Sequence, residues 1–355
     1  MSVTAKLLND HVSADRARYT ALFVSLFLTV VILFILDIFL GSVKISPSEV
    51  FRVAFAGDDS PASIIILKFR IPKALTAVIA GIALSVSGLQ MQTIFRNPMA
   101  GPYVLGISSG ASLGVALVIL GFAPLFSEKM GTGPGNWLLI SAACAGAGLI
   151  MMVVTFMASR VRDILTILIL GIMIGGAISA LVTILQYFTS ESLLKAYVIW
   201  TMGSLSNLTT AQLGTMTLTV ISGVIVSVYL IKMLNVLQLG EAYATTTGVN
   251  VKLARILVFI STSVLAGSIT AFCGPIGFIG IAVPHLARMI FRTSDHRVLL
   301  PACILAGASL LLLSDIISQL PGSDKVLPVN AITSLLGIPV VVWVIFRGRF
   351  IKYNR

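Results

Sequence analysis

Few residues in this chain could do covalent chemistry. Its histidines are His11, His285 and His296 and its cysteines Cys144, Cys273 and Cys303, with no C-x-x-C pair or zinc-type spacing. No G-x-x-x-x-G-K-[ST] phosphate loop occurs, so the chain is not expected to hydrolyse nucleotide by itself. Asp37 and Asp315 stand near the ends of apolar runs. A carboxylate there can reach water, so a capping or solvated role is expected of both. No catalytic residue, no resident metal and no cofactor is expected. The cysteines read as small apolar packing residues.

What remains is physical work, and residues 274–301, GPIGFIGIAVPHLARMIFRTSDHRVLLP, show where it is done. Gly274, Pro275, Gly277, Gly280 and Pro284 interrupt an apolar segment that runs without a spacer into His285, Arg288, Arg292, Asp295, His296 and Arg297. Backbone broken at membrane depth persists only where protein or a water-filled cavity satisfies its polar groups. Broken spans therefore point to a transport path.

The elements that position this segment follow from hydropathy. The 355 residues are 57% hydrophobic and 10% charged, and apolar runs of spanning length recur throughout. Spans are expected near 20–42, 74–95, 104–122, 136–158, 164–188, 212–233, 253–273, 276–291, 299–320 and 328–346. That is ten helices, nine if the short, Gly-rich eighth is discounted. Alternating ten-residue segments of a membrane barrel are absent from the pattern. Residues 1–19 read as a polar tail on the cytoplasmic side and 20–355 as a single polytopic domain. The run from Thr20 to Leu40 is longer than a signal-peptide core and reads as an uncleaved first helix. Residues 43–73, 123–135 and 189–211 read as outer loops, the last able to hold a short surface helix with Tyr197 and Trp200 at the interface. Dense small residues, among them Gly106, Gly110, Gly114, Gly171 and Gly175, read as close helix packing.

Charge orients the array. With ten spans, one face collects sixteen of the 24 Lys and Arg residues and carries the whole formal charge of +11. By the positive-inside rule that face, with both termini, is cytoplasmic. The basicity thus reports membrane orientation, and no nucleic acid is expected as partner.

Three segments on the basic face stand out. An apolar span ends in Arg96-Asn97-Pro98, a compact turn that re-enters the membrane at once. Residues 239–249, LGEAYATTTGV, form a helix-compatible patch of small residues around one acid, with Gly248 as a possible C-cap; a neighbouring protein can approach such a surface closely. The third is Asp295-His296-Arg297, after the broken span.

Together these residues resemble the FecCD/BtuC-type permeases, membrane subunits of importers for iron chelates, haem and cobalamin. The likeness runs from about Gly41 to Phe350. It is carried by RIPK at 70–73, SGLQMQ and RNPMAGP within 87–102, LGISSGA at 105–111, GEAYATTTGV at 240–249, the 274–301 block and LPVNAITSLLGIP at 327–339. The resemblance implies an all-α, ten-helix type II importer permease in the bacterial inner membrane, working as a homodimer by alternating access. Two ATPase subunits would sit on the cytoplasmic face and a solute-binding protein would dock outside. It implies that 240–249 is the ATPase-coupling loop, with Gly240, Glu241, Ala244 and Gly248 as contact candidates, although Glu241 and Gly248 are one residue further apart than in the broader coupling loops. It puts the inner gate at Ile164 and Leu165. Binding-protein docking would fall to Arg70 and Lys73, and to Lys325 because a third basic position of some relatives is Gln319 here. An ion-coupled secondary transporter is the alternative; it needs midplane carboxylates, and none is evident. A membrane-embedded enzyme or sensor needs a polar catalytic cluster or an output domain, which the sequence also lacks. Iron chelate is favoured as cargo only because it is the commonest among relatives.

Overall fold

The computed structural model describes residues 3–41, 43, 45–56, 60–121, 137–161, 163–206, 208–319 and 326–353. These residues form fourteen helices and no strand: α1 Val3–Phe39, α2 Pro47–Ala56, α3 Pro61–Ile94, α4 Ile107–Gly121, α5 Trp137–Arg160, α6 Ile164–Tyr187, α7 Glu191–Thr201, α8 Thr210–Tyr229, α9 Ile231–Leu239, α10 Glu241–Thr246, α11 Val251–Cys273, α12 Ile279–Phe291, α13 His296–Ser318 and α14 Val329–Tyr353. By length and apolar composition seven of them, α3, α5, α6, α8, α11, α13 and residues 16–39 of α1, can cross a membrane. Three shorter apolar helices, α4, α12 and the first part of α14, occupy the remaining expected spans. The chain is an all-α, multi-pass membrane protein.

The centre of the fold is α3, buried along most of its length and surrounded by α8, α11, α12 and α13. Its residues explain this position. Ala74, Ala77, Ala80, Gly81, Ala83, Ser85, Ser87 and Gly88 are small, so neighbouring backbones approach closely, which is how helices associate in lipid. A Cβ on Gly81 would lie 2.2 Å from the Gly307 carbonyl oxygen, and one on Gly88 would lie 1.8 Å from that of Gly280. The expected small-residue packing recurs where α4 crosses α5, Gly110 against Gly146 and Gly114 against Ala142. Near the end of α3 Gln90 is fully buried, and its amide donates to Ser227 Oγ (2.9 Å) and Ser261 Oγ (3.1 Å) while accepting from Thr262 Oγ1 (3.0 Å). That knot ties α3 to α8 and α11 with every polar atom of the amide engaged.

Some element bounds differ from expectation. Residues 61–73, expected within the outer loop at 43–73, continue α3 through a π-turn at Ile66–Arg70; hydropathy cannot see that Arg70 and Lys73 find partners inside. The helix α1 runs through the expected boundary at residue 20, whereas α7 is the short helix that 189–211 was able to hold, with Tyr197 buried and stacked on Trp200. Residues 123–135 lie outside the described residues.

Candidate functional site

The broken span appears as expected. Helix α11 ends at Cys273, and Gly274 (φ 76°) and Phe278 (φ 64°) adopt left-handed backbone around residues 275–277. A Cβ at Gly274 would meet the Trp200 carbonyl oxygen at 2.6 Å. The freed backbone groups have partners: the Gly277 N–H donates to Asn330 Oδ1 (2.9 Å), the Ile276 N–H to the Tyr103 hydroxyl (3.4 Å), and the Cys273 carbonyl accepts from the Ser204 N–H (2.8 Å). Side chains from α14 and from the turn before α4 thus replace the missing helical bonds.

The segments expected on the basic face do gather at one end of the molecule. The Arg18 guanidinium donates to the Ile290 carbonyl (3.2 Å), His285 Nε2 lies 2.8 Å from the Pro98 carbonyl oxygen, and Arg96 Nε donates to the Leu237 carbonyl (3.4 Å). Arg96 itself has φ 45°, the turn expected from Arg-Asn-Pro.

At this end lies α10, the six-residue helix of the 239–249 patch. Gly240 (φ 124°) and Gly248 (φ 82°) flank it, conformations that an L side chain rarely adopts. The Arg96 guanidinium fills the space beside Gly240, 2.7 Å from where a Cβ would be. Glu241 pairs with Arg255 of α11, a buried cation, and its own side chain remains 38% exposed. Ala244 is fully buried and seats the helix, so it cannot also meet a partner. The exposed surface consists instead of Ala242, Tyr243, Thr245, Thr246, Thr247 and Gly248. Arg96 and Arg255 join the patch only by pairing across helices, for which sequence spacing gives no signal.

Beside this patch, α6 begins at the expected gate. Asp163 caps it, accepting from the Thr166 N–H (2.9 Å), the Thr166 hydroxyl (2.6 Å) and the Leu165 N–H (3.3 Å). The Thr166 hydroxyl and these N–H groups hold the Asp163 carboxyl below the usual carboxylate range. The cap therefore contributes above that range and is lost as pH falls through the lowered value. Ile164 packs inward, whereas Leu165 is exposed on a face continued by Ile169, Ile172, Met173 and Gly176.

At the opposite end, the acids and bases find one another. Asp315 is fully buried and pairs with Lys73 Nζ (3.0 Å). The Gln319 amide donates to Asp37 Oδ1 (2.8 Å) and to Asp315 Oδ2 (3.1 Å). Arg70 is buried too, donating to the Ile38 (2.6 Å), Phe39 (3.1 Å) and Val43 carbonyls, which closes the end of α1. The expectation that Asp37 and Asp315 are solvated is therefore corrected. Arg70 and Lys73 likewise face internal partners instead of offering free charge outward; the open carbonyls of α1 and the two buried acids draw them in. Lys325 lies outside the described residues. Lys73→Met is expected to lower stability by about 3–5 kcal/mol, because Asp315 stays buried without its cation. Thermal unfolding in detergent checks this, and adding Asp315→Asn is expected to recover part of the loss.

Comparison with known proteins places these features in a family. Residues 28–347 match the model of the FecCD transport family. The chain is 39% identical over 287 residues to the vitamin B12 import system permease protein BtuC of Klebsiella pneumoniae, covering 80% of this chain and 83% of that protein. It is 38% identical over 291 residues to the hemin transport system permease protein HmuU of Yersinia pestis, with the same coverage. A solved metal-chelate type ABC transporter in an inward-facing conformation superposes with a TM-score of 0.80 at 27% identity, over 92% of this chain and 99% of that one.

Proposed function

The chain belongs to the FecCD transport family, and from that membership we propose that it is the membrane-spanning permease subunit of an ATP-driven importer of a bulky metal chelate. The cargo is an iron chelate, siderophore or haem, or cobalamin. The observation that carries the reading is the α10 patch: a short helix between two glycine turns, exposed outward and tied by Glu241 and Arg255 to a central span. A surface so built can receive a push from a neighbouring protein and deliver it to the core. The chain performs no covalent step; a separate ATPase subunit hydrolyses ATP, and two such subunits bind the α10 face of a homodimer in the bacterial inner membrane.

Within this proposal the α10 face is cytoplasmic, as the positive-inside rule requires of the basic end, and both termini lie on that side. Glu241, Gly240 and Gly248 shape the coupling contact, and Tyr243 and the exposed threonines make its surface. Leu165 of each copy meets its mate to close the inner gate as an aliphatic constriction, with Ile164 supporting it from behind. A solute-binding protein docks on the opposite face, where Lys325 offers charge and Arg70 and Lys73 shape the surface from below. Such charge would chiefly orient docking and raise the on-rate.

The test is co-expression with a candidate ATPase subunit, purification, and ATPase assay in proteoliposomes. A stable complex that hydrolyses ATP and accumulates haem or cobalamin supports the reading. If no ATPase subunit binds and the chain alone moves solute down an ion gradient, the secondary-transporter alternative replaces it.

A further inference from the structure

The helix preceding the coupling patch carries a polar face that its own fold does not require. Asn235 and Gln238 of α9 are three residues apart and so share a face. The Asn235 amide Nδ2 donates to Asp295 Oδ1 (2.6 Å), and its Oδ1 accepts the His296 N–H (2.8 Å). Gln238 Nε2 donates to the Ser294 carbonyl (2.8 Å) and lies 2.9 Å from His296 Nδ1. That nitrogen is also 2.7 Å from Asn235 Oδ1. A carboxylate on one side of the Asn235 amide and an N–H on the other fix which way it points. Its oxygen therefore faces the ring.

His296 is fully buried, and its Nε2 lies 2.8 Å from Thr93 Oγ1 at the end of α3. Asp295 also caps α13 by accepting the Arg297 N–H (2.9 Å). Three helices, α3, α9 and α13, thus meet on one imidazole and one carboxylate. Helix α10 of the coupling patch begins three residues beyond Gln238, across Gly240, whose free space the Arg96 guanidinium occupies. Without such ties a six-residue helix between two left-handed glycines could move by itself, and its displacement would end locally.

We propose that Asn235 and Gln238 are positioning residues for energy coupling: they latch α9, and α10 with it, to the start of α13 and the end of α3, so that a displacement of α10 moves the core. The inference rests on the importer reading and adds the parts that transmit the push. Arg96 and the Glu241–Arg255 pair hold the far side of the same lever against α3 and α11.

The test uses a spin label at the proposed gate, Leu165→Cys in a Cys144→Ala background, with the distance between the two copies read by double electron–electron resonance in the permease–ATPase complex. Wild-type latch residues are expected to give a distance shift on trapping with ATP and vanadate. Asn235→Asp sets two carboxylates against each other and is expected to cut the shifted population about tenfold, the loss of one charge-assisted hydrogen bond, while ATP is still hydrolysed. Adding Asp295→Asn restores the pair with donor and acceptor exchanged, keeps a capping side chain on α13, and is expected to bring the shift back. A general packing defect would not be rescued by that exchange. Gln238→Met, which adds no charge, is expected to lower the shift severalfold and gives a second reading if Asn235→Asp does not fold. An undiminished shift in the single variants, or no shift with the latch intact, overturns the inference. Failure of the unaltered chain to bind any ATPase subunit overturns the importer reading instead.

Discussion

Glu241→Arg is expected to leave a folded permease that no longer responds to its ATPase subunit. The substitution faces the buried Arg255 cation with a second cation at the site of a direct ion pair. Because the Glu241 side chain is more than a third exposed, solvent screens much of the interaction, and a cost of about 1–2 kcal/mol is reasonable. That is small against the stability of the whole chain and large for a six-residue helix between two glycine turns. Local detachment of α10 is the expected consequence, seen as at least about a tenfold fall in permease-dependent ATPase activity at unchanged global unfolding temperature. The exchange Glu241→Arg with Arg255→Glu separates two roles. Recovery means that Glu241 acts by tethering α10 to α11. Continued loss means that its charge is itself read by the ATPase. An unaffected single variant would place the coupling surface elsewhere.

Gly88→Val is expected to abolish folding outright. A Cβ at this position would lie 1.8 Å from the Gly280 carbonyl oxygen and 2.6 Å from its Cα, and both are backbone atoms that no rotamer change can move aside. Ordinary overpacking costs about 1–3 kcal/mol. Here α3 and α12 would have to separate along the broken span, so a loss above about 4 kcal/mol is expected. Size-exclusion profile and thermal unfolding in detergent read the result. Gly176→Ala is the matched control, because no heavy atom approaches within 4 Å of the added methyl group, and it is expected to behave as wild type. A stable Gly88→Val protein would show that the central crossing lies elsewhere.

Both expectations start from features that differ in how far the sequence discloses them. The all-α membrane class, the position of nearly every span and the break at residues 274–278 are local properties. Each depends on the hydropathy of a run of about 20 residues, or on Gly and Pro backbone preferences, and a linear reading integrates these well. The gathering of Arg18, Arg96, Arg255 and Arg288 at one end follows from counting spans, since each crossing reverses the side. The 240–249 patch was legible as a surface because its small residues and single acid break an apolar chain.

Partner choice was decided by the tertiary structure alone. Lys73 and Asp315, 242 positions apart, become an ion pair, and so two acids read as solvated are buried while two bases read as outward-facing turn inward. Gln319, which departs from the basic residue of some relatives, bridges Asp37 and Asp315 with both of its amide hydrogens. Ala244 reads as a contact and is instead the buried seat of α10, and His296 reads as one of a polar run after the broken span and is instead the meeting point of three helices. The physical reason is the same throughout. Transfer of a residue from water to lipid is nearly a one-residue property, which a sequence states directly. Where a buried charge or amide finds its counterpart is a property of two distant residues at once, and only packing brings them within hydrogen-bonding distance.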